Sequence, residues 1–275
     1  MSILHAIILG LIEGITEFLP VSSTGHLTIA EKLLGYNIND LGVTAFTAII
    51  QVGATVATVL YFRRDIWRVG QAWIRGIFGG SRDTADYRLG WGIIIGSIPI
   101  ALIGIAFKDQ IETGLRSLWY VAIALIGWGL VMYWAEKTAR QTRGEESTTW
   151  RDTLFVGVLQ CLALIPGVSR SGATISAGLF RGFDRVAATR LSFFLAIPAL
   201  LAAGALEAVT RAGDISNSVG WKATGIATVV TFASAYFVVA WLLKFIATHS
   251  FRSFIVYRIG LGVLLVVLLA SGVLK

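Results

Sequence analysis

Long apolar stretches alternate with short polar ones along the whole chain. Six stretches lack Asp, Glu, Lys and Arg, except for Glu207 near the end of one of them. They run over residues 41–62, 89–107, 117–135, 191–210, 223–243 and 259–274. Each is close to the roughly 17 to 25 apolar residues that an α-helix needs to cross about 30 Å of hydrocarbon. The pattern therefore predicts an all-α integral membrane protein with six transmembrane helices.

Two further apolar segments, 3–36 and 153–180, do not fit as crossings, because polar and helix-breaking residues divide each in the middle. The dividing residues are Pro20, Ser22, Ser23, Thr24 and Gly25 in the first, and Pro166, Gly167, Ser169, Arg170, Ser171 and Gly172 in the second. Each half has only about ten to sixteen residues, too few to span a bilayer. We predict two re-entrant helix-loop-helix hairpins, whose loops must line a polar cavity or be buried in protein.

The two divided segments resemble each other when the chain is shifted by 147 residues. The segment VSSTG then aligns with VSRSG without a gap, at 21–25 and 168–172. Gly10 aligns with Gly157, and Glu13 aligns with Gln160. The alternative to a repeat is chance similarity between two stretches that are both rich in Gly and Ser.

A repeat of this kind divides one membrane domain over 1–275 into two units, about 1–136 and about 150–275. Each unit would consist of one re-entrant hairpin followed by three crossings. An odd number of crossings inverts the second unit relative to the first, as in many transporters. The two hairpins would then enter from opposite faces and meet near the midplane of the membrane.

The composition agrees with a bilayer environment, since 56% of the residues are hydrophobic and only 14% are charged, against about 25% charged in soluble domains. The net charge of +7 comes from basic residues scattered between the apolar stretches, which is not typical of nucleic-acid binding. Sixteen of them, Arg258 included, fall on one side of the six crossings, and six, including Lys108, Arg116 and Lys275, fall on the other. The positive-inside rule places the sixteen in the cytoplasm and both termini outside.

Glu13 and Glu17 lie four residues apart, so on a helix they share one face. Two like charges in hydrocarbon are strongly unfavourable, and a bound cation would offset that cost. Oxygen ligands suit Mg²⁺ or Ca²⁺ better than zinc. The pair is therefore a candidate metal site, and the alternative is that each carboxyl is neutral and packed against a helix terminus.

The first loop continues with three hydroxyl groups, a glycine and a histidine, namely Ser22, Ser23, Thr24, Gly25 and His26. We expect the chain to turn at Gly25 into the next helix, whose unpaired N–H groups can bind an anion. Ser23 is a candidate nucleophile, and His26 or Glu17 a candidate base. The alternative is ordinary helix capping by Ser and Thr.

The second loop adds a permanent cation, Arg170, whose planar fork suits phosphate oxygens. It is flanked by Ser169, Ser171, Gly172 and Thr174. An arginine at membrane depth is costly enough to indicate a function, although an ion pair with Glu13 or Glu17 would give it a structural role instead. Two helix starts, one arginine and two carboxylates together indicate a phosphate or pyrophosphate site.

The segments EGITEFLPVSSTGH at 13–26 and PGVSRSGATIS at 166–176 closely resemble the two signature regions of the bacterial undecaprenyl-pyrophosphate phosphatases, the bacitracin-resistance protein family. The segment IIQVGA at 49–54 is also similar to a family segment. The resemblance implies metal-dependent hydrolysis of undecaprenyl pyrophosphate to undecaprenyl phosphate and inorganic phosphate. It also implies a location in the bacterial inner membrane, with the site open to the periplasm.

Residue by residue, the resemblance assigns Glu13 and Glu17 to metal binding and activation of the attack, and Arg170 to phosphate binding. Ser22, Ser23 and His26 match its serine and histidine loop. The attacking group is left open between Ser23 and His26, and we favour Ser23 because it lies beside the predicted helix start. An acidic residue that the family often has before the second hairpin is not clearly matched, since Ser147 falls near that place.

A polyprenyl-phosphate transporter or flippase is the alternative function, because inverted repeats and broken helices are common in transporters. Small residues in the predicted crossings, such as Gly127, Gly129 and Gly204, would suit close helix contacts in a homodimer or within one chain. The single cysteine, Cys161, excludes an intrachain disulfide.

Overall fold

The computed structural model describes residues 1–107 and 117–274, and within these ranges it contains helices, turns and loops but no strand. The helices are α1 (Ile3–Thr16), α2 (Ser23–Leu33), α3 (Leu41–Tyr61), α4 (Arg63–Ile77), α5 (Ala85–Ala106), α6 (Leu118–Thr138), α7 (Trp150–Gln160), α8 (Arg170–Phe180), α9 (Arg185–Thr210), α10 (Ala212–Asn217), α11 (Trp221–Ile246) and α12 (Arg252–Ala270). This confirms the all-α prediction. Lys108, Arg116 and Lys275, which entered the charge count above, lie outside the described residues.

Six of these helices, α3, α5, α6, α9, α11 and α12, are long and apolar enough to cross a membrane. Each overlaps one of the six apolar stretches, so the prediction of six helices long and apolar enough to cross is confirmed. Two of them, α5 and α9, begin at capping residues ahead of the apolar stretch. For example, Asp184 accepts a hydrogen bond from the backbone of Ala187, so α9 starts six residues before the apolar stretch that begins at 191.

The two divided segments form pairs of short helices, α1 with α2 and α7 with α8. Each of these helices has 11 to 14 residues, fewer than a crossing needs. The chain leaves α1 at Glu17 and re-enters a helix at Ser23, and the second pair is broken between Cys161 and Ser169. The helix boundaries thus agree with the two predicted breaks.

Glycines allow α1 and α7 to pack closely on spanning helices. A Cβ added at Gly10 of α1 would lie 2.6 Å from the carbonyl oxygen of Ala227 in α11, and one added at Gly157 of α7 would lie 2.0 Å from that of Gly96 in α5. Such distances mean that backbones touch where a side chain would not fit. The hairpin of each half of the chain therefore packs against a spanning helix of the other half.

The polar stretch between the first two crossings contains a helix that the sequence analysis did not predict. It is α4, which follows α3 with only Phe62 between them. Gly76 and Trp73 of α4 face Tyr87 and Gly90 at the start of α5. The arginines of α4 were used only to orient the chain in the membrane by the positive-inside rule. Their spacing along an amphipathic helix was therefore not considered.

An ion-pair network holds the start of α7. Asp152, which is fully buried, accepts hydrogen bonds from Arg143 and Arg181 at 2.7 Å each, and it forms a capping box with Thr149. Burial favours a raised pKa for the Asp152 carboxyl, but the hydrogen bonds from Arg143, Thr149 and Arg181 outweigh it and hold this pKa well below its usual range. Ser147 belongs to this network as well, since its carbonyl oxygen accepts from Arg143 at 2.9 Å.

Two of the small residues considered for a homodimer are used inside the chain. A Cβ at Gly129 would meet Ile259 at 2.6 Å, and one at Gly204 would meet Val52 at 2.3 Å. Gly127 faces open space, because no described atom lies within 4 Å of its Cβ position. A homodimer stays a prediction.

Candidate active site

The two loops start their second helices with the same unusual backbone. Ser22 has φ 74° and Ser169 has φ 77°, and apart from Gln141 they are the only non-glycine residues with positive φ in the described part of the chain. Each serine caps its helix, because Ser22 Oγ accepts from the N–H of Gly25 at 3.3 Å and Ser169 Oγ accepts from the N–H of Gly172 at 3.1 Å. The capping alternative named for the first loop is correct for Ser22, Ser169 caps its helix in the same way, and the positive φ of both serines points to a functional region.

Glu17 connects the two loops. Its Oε2 accepts a hydrogen bond of 2.5 Å from Ser23 Oγ, and its Oε1 pairs with Arg170 Nη2 at 3.2 Å. The Glu17 and Arg170 side chains are only 4% and 8% exposed. The structure thus brings together one predicted catalytic residue from the end of α1, one from the start of α2 and one from the start of α8.

Arg170 is held by groups on three sides. Besides its pair with Glu17, it donates from Nη1 to the carbonyl oxygen of Ser192 at 3.1 Å, and its guanidinium lies 5.4 Å from the centre of the Phe18 ring. Thr174 Oγ1 donates to Arg170 O at 2.8 Å and bonds Ser192 Oγ at 2.6 Å. Thr174 therefore contacts the site through Ser192 of α9 and the backbone of Arg170. The ion pair between Arg170 and Glu17, named above as a structural alternative, is present.

The second loop touches the first directly at Ser171. Its hydroxyl donates to the carbonyl oxygen of Leu19 at 2.8 Å and lies 3.1 Å from Ser169 Oγ. Gly172 and Gly25 are both closely surrounded, since a Cβ at these positions would lie 2.9 Å from Arg258 Nη1 and 3.2 Å from Val121 Cγ1. Thr24 belongs to the first turn of α2, where its carbonyl accepts from Thr28.

His26 is turned toward other partners than Ser23. Its Nδ1 bonds the carbonyl oxygen of Ser22 at 2.7 Å, and its Nε2 bonds the hydroxyl of Tyr257 at 2.7 Å while the two rings stack. Both ring nitrogens are therefore occupied. Of the two candidate bases named from the sequence, only Glu17 contacts the Ser23 hydroxyl among the described residues.

Glu13 lies one turn before Glu17 on α1 and is fully buried. Neither of its carboxylate oxygens has a hydrogen-bond partner in the described part of the chain. A buried carboxylate without a partner is costly, so it fits a position that a cation would neutralise. The described residues contain no group of three His, Cys, Asp or Glu side chains arranged for a metal, so a cation at the pair would take its other ligands from water, hydroxyl or phosphate oxygens.

Arg258 is the main residue that the sequence analysis misplaced. It was assigned to a polar turn, but it lies in α12 and its side chain is fully buried. It donates to the carbonyl oxygens of Pro20 in the first loop at 3.1 Å, and of Gly167 and Val168 in the second at 2.8 and 2.9 Å. A further donation to Leu125 O in α6 fixes the guanidinium, so one cation joins the backbones of both loops.

The sequence did contain an indication that Arg258 is buried. Arg252 marks the polar end of the last apolar helix, and Arg258 lies six residues further into it. An arginine one and a half turns further in must be buried in protein or reach back to water. Tyr257 and Ser192 gave no comparable signal, because a tyrosine or a serine in an apolar helix is common.

The family model of bacitracin resistance protein BacA matches residues 6–264. Among curated proteins, undecaprenyl-diphosphatase 3 of Frankia casuarinae is 62% identical over 276 residues, covering 100% of this chain and 99% of the relative. The undecaprenyl-diphosphatase of Cutibacterium acnes is 56% identical, with 99% of each chain covered, and undecaprenyl-diphosphatase 1 of Streptomyces coelicolor is 51% identical, with 100% and 98% covered. The resemblance of the two motifs is therefore confirmed over the full length. The chain belongs to the bacitracin resistance protein BacA family.

Proposed function

We propose that the chain hydrolyses undecaprenyl pyrophosphate to undecaprenyl phosphate and inorganic phosphate at the site around Glu17, which recycles the lipid carrier and gives bacitracin resistance. The observation that carries the proposal is that Glu17 contacts Ser23 from one hairpin and Arg170 from the other. A nucleophile, its base and a phosphate-binding cation thus lie together beside two helix starts. Phosphoryl transfer depends mainly on such positioning and charge stabilisation. The relatives are named as diphosphatases, so the flippase alternative is not favoured.

In the proposed reaction, Ser23 Oγ attacks the terminal phosphorus while its proton passes to Glu17 Oε2, 2.5 Å away. The bond from that phosphorus to the bridging oxygen breaks, and the proton on Glu17 goes to the departing lipid phosphate. The regenerated carboxylate then activates a water that cleaves the phosphoserine. Arg170 and the N-terminal N–H groups of α2 and α8 stabilise the charge on the phosphoryl oxygens.

His26 remains the rival attacking group. Its hydrogen bonds to Ser22 and Tyr257 support a role in holding the first loop, because an attack from either nitrogen would first have to break one of them. Ser23 needs no such change, since its hydroxyl already donates to Glu17.

Trapping the covalent intermediate tests the choice between these two residues. Purified protein is mixed with undecaprenyl pyrophosphate labelled at the terminal phosphorus and quenched in acid. Phosphoserine survives acid whereas phosphohistidine does not, so we expect acid-stable label that Ser23→Ala abolishes together with phosphate release. Ser97→Ala is the matched control, because it removes a hydroxyl that, within residues 1–107 and 117–274, bonds only to its own helix at Ile93. Acid-stable label in Ser23→Ala would overturn the assignment.

A divalent cation, Mg²⁺ or Ca²⁺, is proposed at Glu13 and Glu17. It would neutralise pyrophosphate oxygens and offset the cost of two buried carboxylates. The unpartnered oxygens of Glu13 support this position. We expect chelator to abolish phosphate release and Glu13→Gln to raise the metal concentration needed for half-maximal activity by roughly tenfold or more. The matched control is Gln160→Leu, at the aligned position of the second hairpin, which should leave the metal requirement unchanged.

The membrane arrangement proposed for this function is one domain of two inverted units, about 1–136 and about 150–275, each with one re-entrant hairpin. Three observations support it. Ser22 and Ser169 share their backbone geometry, Gly10 and Gly157 make equivalent close contacts, and α1 packs on α11 as α7 packs on α5. The helices support a multi-pass membrane protein, and we place it in the bacterial inner membrane with the site facing the periplasm.

Labelling of single cysteines tests this topology in intact cells, in a Cys161→Ser background. A membrane-impermeant maleimide should label a cysteine at Ser2, on the periplasmic side, and should not label one at Arg140 until the membrane is opened. The opposite pattern would reverse the orientation. Crosslinking between two copies through a cysteine at Gly127 tests the homodimer in the same background.

A further inference from the structure

The surface of α4 is divided into three stripes along its length. Val69, Trp73 and Gly76 form the stripe that faces the protein, where Val69 is buried and Trp73 and Gly76 contact the start of α5. The second, here called the apolar stripe, consists of Trp67, Ile74 and Phe78, the last being the residue that ends the helix. The third, the cationic stripe, consists of Arg64, Arg68 and Arg75. Residues seven or eleven apart lie on one side of a helix, so each set forms a continuous line.

The apolar stripe is not covered by protein. Trp67, Ile74 and Phe78 are 70%, 51% and 85% exposed, although each is large and apolar. Three such side chains in line on one short helix form a patch that water would not favour. Only Phe62 separates α4 from the spanning helix α3, so we expect the start of α4 to lie near the membrane surface.

The cationic stripe lies beside the apolar one and has an excess of positive charge. The helix contains four arginines and a single acidic residue, Asp65. Arg68 is paired with Asp65 and Asp86. The exposed Arg64 and Arg75 side chains form no ion pair or hydrogen bond with residues 1–107 or 117–274. Two arginines are thus left to bind an anion from outside the chain.

We propose that α4 is an interfacial helix that inserts its apolar stripe into the adjacent leaflet and binds anionic lipid headgroups through its cationic stripe. A helix with a large apolar face next to an arginine-rich face lies in the plane of the membrane surface in this way. Charge complementarity selects anionic over zwitterionic headgroups, since each arginine near an anionic surface adds electrostatic attraction. This binding surface is separate from the hydrolytic site, and its test does not depend on activity.

The charge preference is tested with full-length protein in phosphatidylcholine vesicles that contain spin-labelled phosphatidylglycerol or spin-labelled phosphatidylcholine. We expect the protein to restrict the phosphatidylglycerol probe more strongly. The double variant Arg64→Gln/Arg75→Gln should lower this preference on the order of tenfold. The matched control, Arg140→Gln/Arg252→Gln, removes two exposed charges outside α4 and should keep the preference. An unchanged preference in the α4 variant, or an equal loss in the control, overturns the proposal.

Insertion of the apolar stripe is tested separately with a nitroxide on a single cysteine, again in a Cys161→Ser background. A label at Ile74 should collide with dissolved oxygen more than with a water-soluble nickel chelate. A label at Asp83, in the exposed loop after α4, should show the reverse. If the label at Ile74 is as accessible to the nickel chelate as the one at Asp83, α4 does not insert and the proposal is wrong.

Discussion

The loop after α1 and the loop after α7 begin their second helices in the same way but carry different side chains. Ser22 and Ser169 share a positive φ and the same capping hydrogen bond. The residue that follows is Ser23 in the first loop and Arg170 in the second, and both contact Glu17. The backbone is repeated, whereas the chemical groups are divided between the two loops.

This difference has a physical reason. In the mechanism proposed above, the two helix starts would both bind phosphoryl oxygens, but hydrolysis also needs a nucleophile, a base and a cation. A repeated backbone with unlike side chains would supply both the shared anion-binding geometry and the different chemical groups.

Removing the carboxylate that contacts both Ser23 and Arg170 should have the largest effect. Glu17→Gln keeps the shape of the side chain but removes the base for Ser23 and the charge that pairs with Arg170. We expect phosphate release to fall by on the order of 10²–10⁴-fold, the range for loss of a general base. Glu136→Gln is the matched control, since Glu136 is also a largely buried carboxylate paired with an arginine, Arg185. Full activity in Glu17→Gln would show that catalysis does not need the contacts of Glu17 with Ser23 and Arg170.

Arg258 should matter to both loops equally, because its guanidinium holds Pro20 in one and Gly167 and Val168 in the other. Arg258→Gln leaves several buried carbonyl groups unpaired, so we expect a loss of roughly 3 kcal/mol in the free energy of unfolding. Arg258→Lys keeps the charge but not the planar fork and should recover only part of it. Thermal unfolding in nanodiscs measures both, with the exposed Arg252→Gln as control. A variant as stable as wild type would exclude the bracing role.

The sequence predicted the six crossings, the two breaks and most of the residues at the site. Long uncharged stretches indicate membrane-spanning helices. Polar residues at membrane depth are rare enough to indicate function, and Glu17, Ser23 and Arg170 were predicted for that reason. Contacts between residues that are far apart in the sequence cannot be predicted from local sequence patterns. That His26 bonds Tyr257 rather than Ser23, or that Arg258 bridges both loops, depends on packing between segments more than 90 residues apart.

The far ends of the two hairpins also differ, and pH should reveal this. In the first turn of α7, Asp152 is held by Arg143 and Arg181, whereas at the start of α1 the Ser2 hydroxyl accepts one capping bond from the N–H of His5. Because the pKa of Asp152 is lowered in the folded protein, its carboxylate adds to the free energy of unfolding above about pH 4. This stabilisation is lost progressively as the pH falls below that value. We expect Asp152→Asn to cost roughly 2 kcal/mol at pH 7, discounted for its partly exposed partners.

Unfolding of wild type and Asp152→Asn between pH 7 and pH 3 measures this difference. The gap between the two proteins should narrow as the pH falls below 4, because unfolded wild type then binds a proton at Asp152 that the folded protein, with its lowered pKa, does not bind. Ser2→Ala, at the start of the first hairpin, should show no such pH dependence. A gap that stays constant over this range would show that the ion pairs do not stabilise the start of α7.

The smallest expected effects test whether the repeated backbone itself is strained. At Ser22 and Ser169 the positive φ costs about 1 kcal/mol or more for any residue except glycine, whereas loss of the capping oxygen costs about 1 kcal/mol with alanine and only a few tenths with glycine. We therefore expect glycine to be at least as stable as serine at both positions and alanine to be roughly 1 kcal/mol less stable, the reverse of the usual preference for alanine over glycine within a helix. Thermal unfolding of the four single variants decides the matter. If this ranking of stabilities holds at one position and fails at the other, the two helix starts do not share the same strain. Their similarity is then limited to the capping hydrogen bonds that Ser22 and Ser169 accept.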